Sequence, residues 1–233
     1  MNKINYEIKP IFTPSANICR DFARIHMSHL SSAGKDKLYF NLANAYLNAW
    51  NTETNVFAFA AYINKEMVGF ITGSLNEQNM FTRSLYITPQ YQGYGMGAGL
   101  LDSAENAASL IAPNMALFSL NGAVGFYQNR GYKNTIVLGR VMKIKKLSNA
   151  TGVIPVFQWC NKLQSKLNVK FDVNLLKNPE HQPIFVYVNT QQKIDGIAIR
   201  TPNGKQKIAV NTREKNLSQI YVQKLLSVLS LSL

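Results

Sequence analysis

The sequence predicts a mixed α/β domain on a largely antiparallel sheet, followed by a smaller second α/β domain. Three observations carry that expectation. Strand-like apolar runs crowd between residues 56 and 88, separated by turns a few residues long, which is hairpin spacing. Helical apolar periodicity flanks this cluster on both sides. At 233 residues the chain exceeds one small domain, and Ser148-Asn149-Ala150-Thr151-Gly152 reads as a linker dividing residues 1–147 from 153–233.

Residues 6–12 alternate weakly and read as a first strand. Ile18, Phe22 and Ile25 give helical spacing to 16–30, and a second helix is expected over 36–50. Residues 56–63 read as a buried strand, Asn64-Lys65 as a turn, and 67–74 as its hairpin partner. A further strand is expected over 80–88, ended by Pro89, which has no N–H to donate. Leu100, Ala104, Ala107, Ala108 and Ile111 share one face of a helix over 97–111. A strand at 115–120, a short helix at 122–129 closed by Gly131 and a strand over 135–144 complete the first domain. Beyond the linker, Pro155 suits a helix start, with Val156, Cys160, Leu163 and Leu167 as its apolar face. Strands at 184–188, 194–199 and 207–210 and an amphipathic C-terminal helix are expected after it.

Composition narrows the function classes. Cys19 and Cys160 lie far apart and outside any C-x-x-C spacing, so neither a disulfide framework nor a zinc site is expected. No apolar segment follows the N-terminus as in a secretory signal, and the apolar run 56–63 is too short to span a bilayer. A cytoplasmic protein without a membrane partner is the expectation. The net charge is +13; residues 1–146 carry +6 and residues 147–233 carry +7, so the second part is the more basic per residue. That field favours anionic partners without choosing among them.

The stretch Tyr86-Ile87-Thr88-Pro89-Gln90-Tyr91-Gln92-Gly93-Tyr94-Gly95-Met96-Gly97-Ala98-Gly99-Leu100-Leu101 is a strand, a proline, a glycine-dense turn and a helix start. Glycines there allow positive φ and close backbone approach. The helix N-terminus adds unpaired N–H donors and partial positive charge, an anion site suited to a pyrophosphate. A phosphate loop of the G-x-x-x-x-G-K-[ST] type fails for want of the lysine. A dinucleotide fingerprint on Gly93, Gly95 and Ala98 would need an acidic residue after the next strand, and residues 115–121 hold none.

The segment resembles motif A of the GNAT superfamily of N-acetyltransferases, whose Gln/Arg-x-x-Gly-x-Gly/Ala signature is matched by Gln92-Gly93-Tyr94-Gly95-Met96-Gly97. Ile87-Thr88-Pro89 and Leu100-Leu101 match its flanks. One helix and one strand downstream, Ser119 to Tyr132 resembles motif B, with Phe126-Tyr127 followed by three residues and then Gly131-Tyr132. The resemblance covers most of residues 5–145. In the commoner family pattern the asparagine lies three residues before the position of Ala123, whereas Asn121 lies two before it. Asn121 therefore reads either as a cofactor contact or as a helix cap.

The resemblance implies the GNAT fold and an acyl-CoA N-acyltransferase, with acetyl-CoA as acyl donor and an amine acceptor on a small molecule, peptide or protein. It implies that N–H groups of Gly93, Tyr94, Gly95, Met96, Gly97 and Ala98 bind the CoA pyrophosphate, with Gln92 orienting the loop. The strand edge at Leu85, Tyr86 and Ile87 would pair with the pantetheine arm. Tyr127 stands where the family places its general acid. The family often has a glutamate base on the motif A strand, and Phe81, Thr82 and Arg83 offer none. Deprotonation is left to water or to His26 or His29, which also read as ordinary helix residues.

Residues 57–71 and 185–199 share a strand, polar turn, strand pattern with a glycine at a like place, Gly69 and Gly196. Ile87-Thr88-Pro89 and Val210-Asn211-Thr212 then precede a helix in each case. A degenerate partial GNAT-like repeat without CoA binding is the expectation for the second domain. Capping the substrate site, homodimerisation and binding an anionic partner remain open roles for it. The competing classes are a catalytically silent acyl-CoA-binding protein and an RNA- or ribosome-associated basic protein. No RNA-binding motif is present, and aromatics are not interleaved with the basic residues.

Overall fold

The computed structural model describes residues 4–13, 15–30, 35–53, 56–75, 79–137, 140–177, 183–201, 203–211 and 215–230. The chain forms two compact units, residues 1–108 with 112–147, and residues 109–111 with 148–233. Among the described residues no helix is long and apolar enough to cross a membrane.

The first unit is a seven-stranded sheet. In chain order it has β1 (Glu7–Pro10), α1 (Ala16–Met27), α2 (Lys35–Thr52), β2 (Val56–Ile63), β3 (Glu66–Leu75), β4 (Asn79–Ile87), α3 (Met96–Ser109), β5 (Asn114–Leu117), α4 (Val124–Asn129), β6 (Lys133–Val137) and β7 (Arg140–Lys146). The strands lie in the order β1-β2-β3-β4-β5-β7-β6. Only β4 and β5 are parallel; every other pair is antiparallel. The single strand expected over 135–144 is therefore corrected to the hairpin β6–β7. The run reads as one strand because both strands of the pair carry apolar residues; residues 138 and 139 fall outside the described residues.

Local chemistry explains these elements. Ser15 caps α1, its side chain accepting from the N–H of Ile18 at 3.3 Å. The helix buries Cys19, Phe22, Ala23, Ile25 and Met27. Phe22 stacks on Phe70 of β3 at 4.4 Å between ring centroids, and Tyr46 of α2 meets both rings edge-on. Asn64 and Lys65 take positive φ, 49° and 70°, as a two-residue hairpin with matching twist requires.

Two β-bulges shape the centre of the sheet. Ala61 pairs with Gly69 but Tyr62 with Met67, so Val68 is an extra residue in β3. Its carbonyl accepts from the Thr88 N–H at 2.8 Å and the Thr88 hydroxyl at 3.0 Å. Thr82 pairs with Gly73 but Ser84 with Thr72, so Arg83 is extra in β4. The second bulge reverses which face the following β4 residues present.

The second unit contains β8 (Gly152–Val156), α5 (Asn161–Gln164), α6 (Val173–Lys177), β9 (Ile184–Val188), β10 (Ile194–Arg200), β11 (Gln206–Val210) and α7 (Lys215–Ser230). Its sheet is wholly antiparallel, in the order β11-β10-β9-β8. The helix expected to start at Pro155 is corrected: Pro155 lies within β8, opposite Phe185. β8 is an edge strand, where the missing N–H of proline costs no ladder bond. Of the expected apolar face, only Leu163 belongs to a helix, the four-residue α5.

Candidate active site

The site is built where β4 and β5 part. Their pairing runs from Asn79 opposite Asn114 to Thr82 opposite Leu117 and stops. β4 continues to Ile87, paired with β3 on one side only. Past Thr82, the N–H and C=O groups along its β5-facing edge have no strand partner among the described residues, a template for an extended ligand.

That open edge leads into the glycine turn. Thr88 anchors the strand end, and residues 89–91 form a single 3-10 turn with Pro89 at its start. The Nε2 of Gln92 donates to the Ile87 carbonyl at 3.1 Å, tying the turn back to β4. Gly93 and Gly95 have φ of +84° and +86°, the left-handed region that side chains disfavour. A side chain at Gly93 would meet nothing within 4 Å, and one at Gly95 only the Tyr6 hydroxyl at 3.8 Å, so backbone conformation selects both glycines.

α3 begins at Met96, and the Gly95 carbonyl accepts its first bond, from the Gly99 N–H at 3.0 Å. The N–H groups of Met96, Gly97 and Ala98 thus precede the helical ladder, at its positive end. Gly97 lies 3.8 Å, at its Cβ position, from both Ile87 and Phe126. Gly99 admits β1: a Cβ there would sit 2.7 Å from Ile8 Cδ1. Tyr94 is exposed beside the turn, and Leu85 and Tyr86 are half-buried on β4 opposite Ile71 and Phe70.

Tyr127 is buried in α4, its ring edge-on to Tyr132 at 5.5 Å and to Phe126 at 5.0 Å. Burial first, and the nearby Tyr86 second, push its phenol up to about 12. The group is therefore neutral and proton-bearing through the physiological range. Tyr132 is held well above its ordinary value by burial and by Glu105, which accepts its hydroxyl at 2.9 Å. Asn121 opens a 3-10 turn over Asn121–Ala123; its side chain lies outside the described residues.

Positions 81–83 of β4 carry no carboxylate of their own, and their neighbours are these. Phe81 meets Phe118 edge-on at 5.6 Å, and Arg83 pairs with Glu53 at 2.6 Å. Thr82 Oγ1 is buried without a hydrogen-bond partner among the described residues. The two histidines do converge on this site. His29 Nε2 donates to the Ile87 carbonyl at 2.9 Å. His26 stacks on Tyr86 at 4.1 Å, and its Nδ1 lies 3.1 Å from the Tyr46 hydroxyl. Tyr46 and Ser84 escaped sequence reasoning because each is an ordinary polar position until the sheet and helices bring them together.

Comparison with known proteins bears on the family and the fold. The model of the acetyltransferase (GNAT) domain matches residues 28–144. An uncharacterized N-acetyltransferase of Methanocaldococcus jannaschii is 30% identical over 127 residues, spanning 48% of this chain and 80% of that protein. A crystal structure from Pyrococcus horikoshii OT3 superimposes with a TM-score of 0.53 at 19% identity, over 62% of this chain and 99% of its own. A GNAT-family structure from Desulfovibrio desulfuricans gives a TM-score of 0.50 at 13% identity, over 62% and 100%. These two show the fold; the family model spans half of the chain, and the archaeal relative is matched over four-fifths of its length. The chain belongs to the GNAT acetyltransferase family.

Proposed function

We propose that this acyl-CoA N-acyltransferase binds acetyl-CoA along the open edge of β4 and on the N–H groups of residues 93–98, with Tyr127 as its general acid. Family membership supplies the reaction, acetyl transfer from acetyl-CoA to an amine. The observation that carries the assignment of residues is continuity. An unpaired strand edge runs straight into two positive-φ glycines and the free first turn of α3. An extended amide-bearing arm fits the edge, and a pyrophosphate fits the turn.

In this reading Met96, Gly97 and Ala98 donate to phosphate oxygens, and Gln92 holds the turn against β4. The amine nitrogen attacks the thioester carbonyl and a C–N bond forms. An unpaired N–H on β4 donates to the oxyanion. The C–S bond then breaks, and the Tyr127 hydroxyl protonates the departing thiolate before being reprotonated from water.

Calorimetry with acetyl-CoA tests the cofactor site on wild type, Gly95→Glu and Gly95→Ala. Glutamate places charge against the pyrophosphate and should weaken binding about a hundredfold or more. Alanine shares the strain at φ +86° without the charge and should weaken it less. Equal binding by folded wild type and Gly95→Glu overturns the assignment.

A further inference from the structure

Acetyl transfer requires the acceptor amine to lose a proton, and β4 presents no carboxylate at Phe81, Thr82 or Arg83 to receive it. Two residues past the last β4–β5 pair, Ser84 presents its side chain on the opposite face from Thr82, because the Arg83 bulge reverses the alternation. The Ser84 Oγ lies 3.3 Å from the Tyr46 Oη of α2. That hydroxyl lies 3.1 Å from His26 Nδ1 of α1. Three separate elements thus deliver one unbroken hydrogen-bonded chain, starting where β4 runs on past β5.

The chain is held by packing. Tyr46 meets Phe22 and Phe70 edge-on at 5.5 Å and 5.6 Å, and His26 stacks on Tyr86 at 4.1 Å. His29 is engaged differently: its Nε2 donates to the Ile87 carbonyl at 2.9 Å. A carbonyl accepts only, so this nitrogen keeps its proton.

We infer that Ser84, Tyr46 and His26 form a relay that carries the acceptor's proton away from the cleft. The inference rests on the acetyl-transfer reading above. As the nitrogen bonds to the thioester carbon, its N–H bond breaks and the proton passes to Ser84 Oγ. Ser84's own proton moves to Tyr46 Oη, and the Tyr46 proton to the lone pair of His26 Nδ1. The imidazolium then releases a proton to water. Ser84 meets the acceptor; Tyr46 and His26 act through it.

The electrostatics fit these roles. Burial, then the charge of His29, hold His26 below its ordinary value, so it is neutral and able to accept at neutral pH. Burial pushes Tyr46 up to about 12 against the Ser84 hydrogen bond, so its phenol passes a proton on without standing ionised. Among the described residues, the titratable groups acting on the pair are Cys19 from α1, His29 just past the end of α1, and Tyr86 from β4.

The test measures thiol release from acetyl-CoA by the full chain, with ethylamine and with water as acceptors. The variants are His26→Gln, Tyr46→Phe, Ser84→Ala and Ser84→Thr, each also assayed for acetyl-CoA binding by calorimetry. The expected result is a loss of about a hundredfold in kcat for the first three, with binding retained and activity restored in Ser84→Thr. A histidine base works only when neutral, so wild-type rate should fall as pH drops below His26's lowered value. That acidic limb should vanish in His26→Gln. Variants that keep the wild-type rate and limb overturn the relay. So does a wild type that binds acetyl-CoA yet releases no thiol to either acceptor, or variants that lose rate only by losing binding. Failure of wild type to bind acetyl-CoA at all instead sinks the cofactor reading.

Discussion

The second unit repeats the element order of the first half of the first unit with a different loop and shorter helices. β1 to α3 runs strand, two helices, three strands, helix, and β8 to α7 runs in the same order. Both sheets are antiparallel meanders over those four strands. Both carry a bulge one residue before a glycine, Val68 before Gly69 and Asp195 before Gly196. Gly69 then faces Ile87, and Gly196 faces Val210. The bulge carbonyl accepts from the first residue past the strand each time, Thr88 at 2.8 Å and Asn211 at 2.7 Å. What differs lies just beyond. Eight residues with two positive-φ glycines separate Ile87 from α3, whereas four residues without glycine separate Val210 from α7. Helices of 12 and 18 residues carry His26 and Tyr46 in the first unit, and the second has helices of four and five in those places. The meander is a scaffold; the loop after its last strand and the long helices over its face hold the proposed site.

The sharpest test of that division is Tyr127→Phe, in α4, beyond the repeated frame. Its kcat for acetyl transfer should fall about a hundredfold, roughly 2.7 kcal/mol in the barrier, with the KM for acetyl-CoA nearly unchanged. Steady-state kinetics with ethylamine read it. An unchanged kcat leaves Tyr127 as packing and moves the acid elsewhere.

The shared bulge glycines come next. A Cβ at Gly69 would clash with Ile87 Cδ1 and sit 3.0 Å from the Tyr86 carbonyl oxygen. Gly69→Ala should cost about 1–3 kcal/mol as overpacking, read from denaturant midpoints. At Gly196 the neighbours are Leu225 Cδ1 at 3.0 Å and Tyr187 Cβ at 3.2 Å, so Gly196→Ala should cost less. The reverse order would break the parallel between the two strand crossings.

Much of this frame was legible in the residues and much was not. The strand 56–63 ends where expected because Asn64-Lys65 supplies a turn that residues willing to take positive φ announce. The turn after β4 was legible because positive φ leaves glycine as its mark, at Gly93 and Gly95. Pro155 misled because a proline is as much at home on a sheet edge as at a helix start, and only strand order distinguishes them. Bulges leave no local signature, so the side on which Ser84 faces could not be read. The Ser84–Tyr46–His26 chain joins residues 38 and 20 positions apart, which no periodicity encodes.

Alkaline stability separates the units on a smaller scale. Among the described residues, the tyrosines with raised values, Tyr46, Tyr62, Tyr86, Tyr127 and Tyr132, all lie in the first unit. A raised folded value favours the protonated form, so this contribution is full below the unfolded value near 10 and is lost as pH rises toward 12. Amide exchange should show the first unit loosening across that window, and Tyr127→Phe should blunt the loss.

The smallest effect contrasts how the bulged residues are fastened. Asp195 is buried and accepts from the side-chain amides of Asn168 and Asn189, both at 2.7 Å, and of Asn211 at 3.4 Å. Asp195→Ala strands those donors and should cost about 1–3 kcal/mol. Arg83, the bulged residue of β4, is fastened by an ion pair to Glu53 with both side chains more than a third exposed. Solvent screens such a pair, so Arg83→Ala should change stability by about 0–1 kcal/mol, with the difference shrinking further in high salt. Urea melts of both variants at low and high salt read the contrast. A large, salt-resistant loss at Arg83 would mean that the β4 bulge depends on its charge, and the side on which Ser84 faces with it.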